Sequence, residues 1–214
     1  METIIFKEES YKIPIGGEWN LEDLYVFPRN YEQVYVLFYS FLAHKDESTQ
    51  GRIEATFSNF PWRGGYSAAH FYGKLKYILP KQQRPQVLSL KYASPGWIEL
   101  SLIIGIALLV QRLVKTIAAT IREANSIYNE VYTGLQQRKL LRIEVEKKEL
   151  ELEAQHLEYI NQSVAQMSKL MGFEDIQHIH EKTGNPLITL KILLSLYRRV
   201  RTLAEYQNNG KIRF

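Results

Sequence analysis

Chain-breaking and aromatic residues crowd into the first 97 positions, and that asymmetry limits the fold more than any motif does. Every proline except Pro186, every tryptophan, and most of the tyrosines and phenylalanines lie between Met1 and Trp97. Proline fixes φ and removes a backbone donor, so long uninterrupted helices are hard to build there. From residue 98 onward the chain is mainly Leu, Ile, Glu, Lys, Arg and Gln with few breakers, a composition of good helix formers. The sequence therefore predicts an α+β (or small α/β) unit over residues 1–96. Behind it the sequence predicts a long-helix, coiled-coil-like α-helical region over residues 97–214.

In the first part, Thr3–Phe6 reads as a short strand. Asn20, followed by Leu-Glu-Asp, marks a helix start, with acidic residues at the positive end of the helix dipole. Pro28 either kinks that helix or begins a second one. From Tyr31 the apolar positions Val34, Tyr35, Phe38, Phe41 and Leu42 keep helical spacing. His44–Gly51 reads as a polar loop. The alternation of Ile53, Ala55 and Phe57 predicts a half-buried strand over Arg52–Phe57. Ser67–Leu79 reads as a helix stopped by Pro80. Gln86–Tyr92 reads as a second strand, with Leu88, Leu90 and Tyr92 on its apolar face and Val87, Ser89 and Lys91 on a more polar one. Ser94-Pro95-Gly96 suits a type II turn.

In the second part, helices are expected near 97–132, 135–171 and 187–206. The run Leu100–Val110 has Ser101 as its single polar residue, the pattern of a buried central helix. Eleven helical residues reach only ~16 Å, about half of a bilayer core. Thr133-Gly134 is a candidate interruption. Leu157, Ile160, Val164, Met167 and Met171 repeat at 3–4 spacing, as do Leu190, Leu193, Tyr197 and Val200 in the last helix. Both stripes are candidate oligomer interfaces. Gly184-Asn185-Pro186 is a stop-and-start signal between helices.

The chain has no cysteine, which removes disulfides, thiolate nucleophiles, cysteine–zinc sites and iron–sulfur clusters. Its formal net charge of +4 falls well short of a dedicated nucleic-acid binder. Phosphate-loop, dinucleotide, zinc-protease, nucleophile-elbow and calcium-loop motifs are all missing from the sequence. Three constellations carry some chemistry. Arg63, Gly64 and Gly65 precede a helix and could approach an anion through backbone amides and a guanidinium. The structural reading of the same residues is a tight loop. Glu174, His178 and Glu181 share a helical face and could ligate a metal, although a solvated polar face has the same spacing. Arg198, Arg199, Arg201, Lys211 and Arg213 form a basic patch at the C-terminal end, suited to phosphate or anionic lipid, or to a solvated face.

The expected function is a non-enzymatic interaction or oligomerisation protein. Its α/β head would recognise a partner or ligand, and its long helices would self-associate or dock another chain. No cofactor is expected, and the partners are a second copy or another protein, with nucleic acid less favoured. The N-terminal residues lack a secretory pattern, so the expected location is the cytoplasm. The alternative is a membrane-associated protein whose apolar helices at 97–110 and 187–197 insert or form an oligomeric pore. A third reading is a nucleotide- or phosphate-binding protein at 63–66.

Overall fold

A computed structural model describes residues 8–42, 47–58, 65–140, 154–172 and 177–214. The protein is mostly helical, 72%, with one small antiparallel sheet, which places it in the α+β class and removes the α/β alternative. The helices pack together and do not form a coiled coil, contrary to the expectation for 97–214. Two compact units emerge, one from residues 1–42, 79–121 and 198–214, the other from 43–78 and 122–197. The expected Thr3–Phe6 strand lies outside the described residues.

The first unit holds the sheet, in the order β1 (Glu8–Ile15), β3 (Gly96–Ile103), β2 (Gln86–Lys91), antiparallel throughout. Strand β3 is the main departure from the sequence reading, which began a helix at Trp97. Ile98, Leu100 and Leu102 are buried, while Trp97, Glu99 and Ser101 are only half-buried, the two-residue period of a strand. The continuous apolar run Leu100–Val110 that suggested a helix is divided: Leu100–Ile103 end β3, and Ile104–Val110 open α4 (Ile104–Ala119), which buries Ile106, Val110, Leu113, Val114 and Ile117. Helix α1 (Leu21–Phe41) packs on α4. It starts at Asn20 as expected, through a reciprocal capping box. The Asn20 side chain accepts from the Asp23 N–H at 2.9 Å, and Asp23 accepts from the Asn20 N–H at 2.8 Å. Pro28 sits inside this single helix and does not divide it. Strands β2 and β3 are linked through a cis Ser94–Pro95 bond, not the expected type II turn.

The second unit is helical: α2 (Glu47–Ser58), α3 (Gly65–Ile78), α5 (Ile121–Gln137, from Arg122), α6 (Ala154–Leu170), α7 (Gln177–Thr183) and α8 (Pro186–Asn208) as far as Tyr197. The expected strand at 52–57 is part of α2. Ile53, Thr56 and Phe57 are buried there and Ala55 is exposed, so the i, i+3, i+4 pattern prevails over the apparent alternation. The expected helix at 97–132 is β3, α4 and the first part of α5. The expected helix at 135–171 is not continuous from its start, because α5 ends at Gln137 and Lys139 takes a positive φ of 58°. The 184–186 signal holds: Gly184 has φ +61°, and the Asn185 side chain accepts from the N–H groups of Leu187 at 2.9 Å and Ile188 at 3.2 Å.

Gly134 does not interrupt α5. A Cβ placed there would overlap the Tyr159 hydroxyl and lie 2.5 Å from its Cζ. The glycine thus lets α6 approach, with Tyr159 donating to the Val131 carbonyl at 3.0 Å and stacking under Arg138 at 3.8 Å. Alanine in a helix interior is favoured over glycine by about 1 kcal/mol. Here displacement of Tyr159 forfeits a hydrogen bond and a cation–π contact, which together exceed that gain. Gly134→Ala is expected to destabilise the protein by about 1 kcal/mol in urea unfolding, and to stabilise it once Tyr159→Ala has vacated the space.

Candidate interaction surface

The residues singled out in the sequence are scattered. Gly65 opens α3, while Arg63, Gly64 and Glu174 lie outside the described residues, as does the side chain of His178. Glu181 is exposed on α7, and among the described residues no group of three His, Asp or Glu side chains is placed to hold a metal ion. Of the two apolar stripes, Ile160, Met167, Met171, Leu190, Leu193, Tyr197 and Val200 are buried within the single chain. Tyr197 stacks on Tyr128 with ring centroids 5.0 Å apart and donates to Asn125 at 2.8 Å. Val164 is half-buried, and Leu157 is the exposed member of the set. The basic patch is divided among local partners. Arg199 donates to Gln33 at 2.5 Å, Arg201 pairs with Glu205 at 3.5 Å, and Lys211 pairs with Asp23 at 2.6 Å. Arg198 is half-buried and Arg213 is exposed.

The C-terminal segment clasps the start of α1 within the first unit. Ile212 bridges to Ile15, the Gly16 N–H donates to the Lys211 carbonyl at 3.0 Å, and the Arg213 N–H donates to the Pro14 carbonyl at 3.0 Å. The Trp19 indole donates to the carbonyls of Gly16 and Lys211, and the Phe214 ring stacks on Tyr31. Beside this clasp is a pocket of about 290 Å³ lined by Glu22, Asp23, Thr202, Glu205, Tyr206 and Lys211, among others. Burial pushes the Asp23 carboxyl pKa upward. Hydrogen bonds from Lys211, the Asn20 N–H and Tyr206, with the Lys211 charge, outweigh burial and hold the group below the usual carboxylate range. Burial and then the Asp23 contact raise Tyr206 above an ordinary phenol. A general acid or base works best with a pKa near the operating pH, and both groups are moved away from neutrality. This arrangement ties Lys211 and Tyr206 to the start of α1.

The sheet presents a different feature. Residues paired directly across antiparallel strands share a face, and β2 sets Val87 opposite Leu100 and Leu90 opposite Ile98. On β3 those partners are buried at 6% and 5% exposure. On β2 that face is open, with Val87 64% and Leu90 49% exposed, and Leu88 at 55% and Tyr92 at 63% are exposed on the same strand. A bulge between Val87 and Ser89 leaves Leu88 without a partner on β3. The sequence identifies this strand and its apolar side chains, but it suggests a buried face where the structure exposes one. The one local hint is the adjacency of Val87 and Leu88, which puts apolar groups on both faces of an alternating strand.

Among the described residues β2 pairs with β3 alone, so its other edge has no strand partner there. The Tyr92 hydroxyl joins it to the 17–19 loop, accepting from the Trp19 N–H at 3.3 Å and donating to the Gly17 carbonyl at 3.4 Å. Just beyond that loop, Leu21, Leu24 and Tyr25 are also exposed. On the opposite sheet face Trp97 lies beneath two ammonium groups, Lys91 at 4.5 Å and Lys12 at 5.1 Å. Its indole donates to Ser89 at 3.2 Å. Glu99 accepts from Ser10 at 2.6 Å and Ser89 at 2.8 Å and faces Lys12 at 3.8 Å. Those hydroxyl contacts come first among the causes that lower its carboxyl pKa.

No protein-family model, curated protein or solved structure matches the chain. Among the described residues no single helix is long and apolar enough to cross a membrane. Most apolar residues of α4 are buried within the chain, but Leu108 is 51% exposed and Ile104 and Leu109 are half-buried; those of α8 from Leu187 to Tyr197 are buried.

Proposed function

We propose that this chain is a non-enzymatic interaction protein that recognises an extended segment of a partner protein along the open edge of its sheet at β2. The carrying observation is that Val87, Leu88, Leu90 and Tyr92 are exposed on a strand at the edge of the described sheet, while the β3 partners of Val87 and Leu90 are buried. An incoming strand would satisfy the unpaired N–H and C=O groups of that edge and cover the apolar row. Main-chain bonds would supply register, and the exposed side chains would supply most of the binding free energy, on the order of 4 kcal/mol for four half-exposed groups. The apolar stripe of α8 is covered inside the chain, as is that of α6 apart from the exposed Leu157 and half-buried Val164, so the reading rests on the sheet.

A peptide of alternating Val and Gln is a neutral strand-forming probe. Its addition is expected to slow amide exchange across Ser89–Tyr92. Leu88→Thr with Leu90→Thr, which keeps strand propensity while removing apolar surface, is expected to weaken peptide binding roughly tenfold or more with little loss of stability. Unchanged exchange at β2 on peptide addition would sink this reading.

A further inference from the structure

We infer that the strand received by β2 is the β2 of a second copy of this chain, across a two-fold axis, an inference that rests on the strand-addition reading above. On α1, Leu21, Leu24 and Tyr25 are exposed, as is Pro28 three residues on. Their spacing of three, four and seven sets them on the helix face that carries Tyr35 and Tyr39. Those two tyrosines donate to Gln83, just before β2, at 3.1 and 2.5 Å. At the far end of β2, Tyr92 accepts from the Trp19 N–H, just ahead of α1, at 3.3 Å. Helix α1 thus lies alongside β2 in the opposite direction, and the part of its apolar face nearest Tyr92 is uncovered. Val87 and Leu90 belong to the side of the sheet that is buried at their β3 partners, so strand and helix leave one apolar surface open, joined through Tyr92 and the 17–19 loop.

Seven exposed apolar side chains, four on β2 and three on α1, present roughly 600 Å² by the area such groups bury. The largest apolar patch on a typical monomer is about 300–600 Å², and one side of a standard interface is about 800 Å². The backbone of the strand edge brings this surface close to the area a stable dimer needs. A peptide one strand wide would cover β2 and leave Leu21 and Tyr25 in water. A second copy covers both with the same patch, because the two β2 strands pair edge to edge and the two α1 faces meet above them. A lipid surface would leave the N–H and C=O groups of the edge without partners in hydrocarbon. Paired residues share a face, so the axis falls on a residue of β2. At Leu90 it sets Leu90 against its own copy, Leu88 against Tyr92 of the partner subunit, and Lys91 against Ser89 of the partner subunit. Ser89 donates to Glu99 at 2.8 Å, so each Lys91 is brought toward a carboxylate of the other copy. An axis at Lys91 would instead oppose two ammonium groups.

Sedimentation of the full chain is expected to show a dimer, with amide exchange across Ser89–Tyr92 slowing as concentration rises. Leu21→Glu with Tyr25→Glu, both at exposed positions outside the strand, is expected to weaken the dimer roughly tenfold or more while circular dichroism stays unchanged. The chain has no cysteine, so a single introduced thiol reports the register. Under mild oxidation Leu90→Cys is expected to form a disulfide-linked dimer, whereas Leu108→Cys, at a position 51% exposed on α4, stays largely monomeric. The neutral peptide is tested at dilution, where the dimer has dissociated. A chain that stays monomeric at every concentration, yet gains protection at β2 from the peptide, would overturn the second copy and leave strand addition standing. A dimer indifferent to the α1 variant, or one in which Leu90→Cys cross-links no better than Leu108→Cys, would also overturn the second copy at β2. A monomer that the peptide does not protect would overturn both.

Discussion

Asp23→Ala is expected to lower the unfolding free energy by about 3 kcal/mol, a large share of the 5–15 kcal/mol typical of a folded domain. Asp23 is 6% exposed and serves two functions at once. It closes the capping box at the start of α1, where loss of a cap costs about 1 kcal/mol. It also receives Lys211 at 2.6 Å and the Tyr206 hydroxyl at 2.8 Å, so its removal leaves a half-buried ammonium and a phenol without their acceptor. Urea titration checks the magnitude. Lys211→Met, which leaves the Asn20 and Tyr206 donors in place, is expected to cost less than Asp23→Ala.

The pH dependence has a definite sign. The folded Asp23 carboxyl lies below its unfolded value, so its stabilisation is present above about pH 4 and is lost as pH falls through the folded pKa. Tyr206 acts in the other direction, its stabilisation being present below about pH 10 and lost as pH rises further. Asp23→Asn is expected to flatten the acid side of the stability profile. An unchanged acid limb in that variant would mean that other carboxylates dominate it.

Tyr35→Phe and Tyr31→Phe are expected to diverge although the residues are neighbours on one helix and both are buried. The Tyr35 hydroxyl accepts from the Ile103 N–H at 3.0 Å and donates to the Gln83 carbonyl at 3.1 Å, tying α1 to the junction of β3 and α4. Its removal leaves a buried N–H without an acceptor, for a loss of about 2 kcal/mol. The Tyr31 hydroxyl has no partner among the described residues. Phenylalanine there keeps the ring packed against Phe27 and Phe214 and discards an unsatisfied polar atom, so stability should hold or rise by up to about 1 kcal/mol. Thermal unfolding of the pair is the measurement, and a loss of 2 kcal/mol in both variants would contradict the distinction.

Features set by neighbours in the chain were legible before the structure was known. Asn20 as a cap, Gly184-Asn185-Pro186 as a helix boundary, the helix near 67–79 and the strand at 86–92 all follow from interactions a few residues long. Misassignments occurred where two periods competed. Ile53, Ala55 and Phe57 alternate, but Thr56 completes a helical face. Trp97–Leu102 alternates as a strand, but the apolar run behind it concealed the transition to α4.

The candidate surface was half legible for the same reason. The sequence by itself determined that β2 is a strand with apolar side chains, because alternation is a local property. Burial is not local. Whether Val87 and Leu90 face solvent depends on which strand pairs beside them and on what covers the sheet. That Asp23 meets Lys211, and that Gly134 makes room for Tyr159, depends likewise on residues distant in sequence. Side-chain chemistry and periodicity specified the elements. Only the tertiary packing decided which apolar groups were left uncovered, since burying one face removes area from water without regard to sequence order.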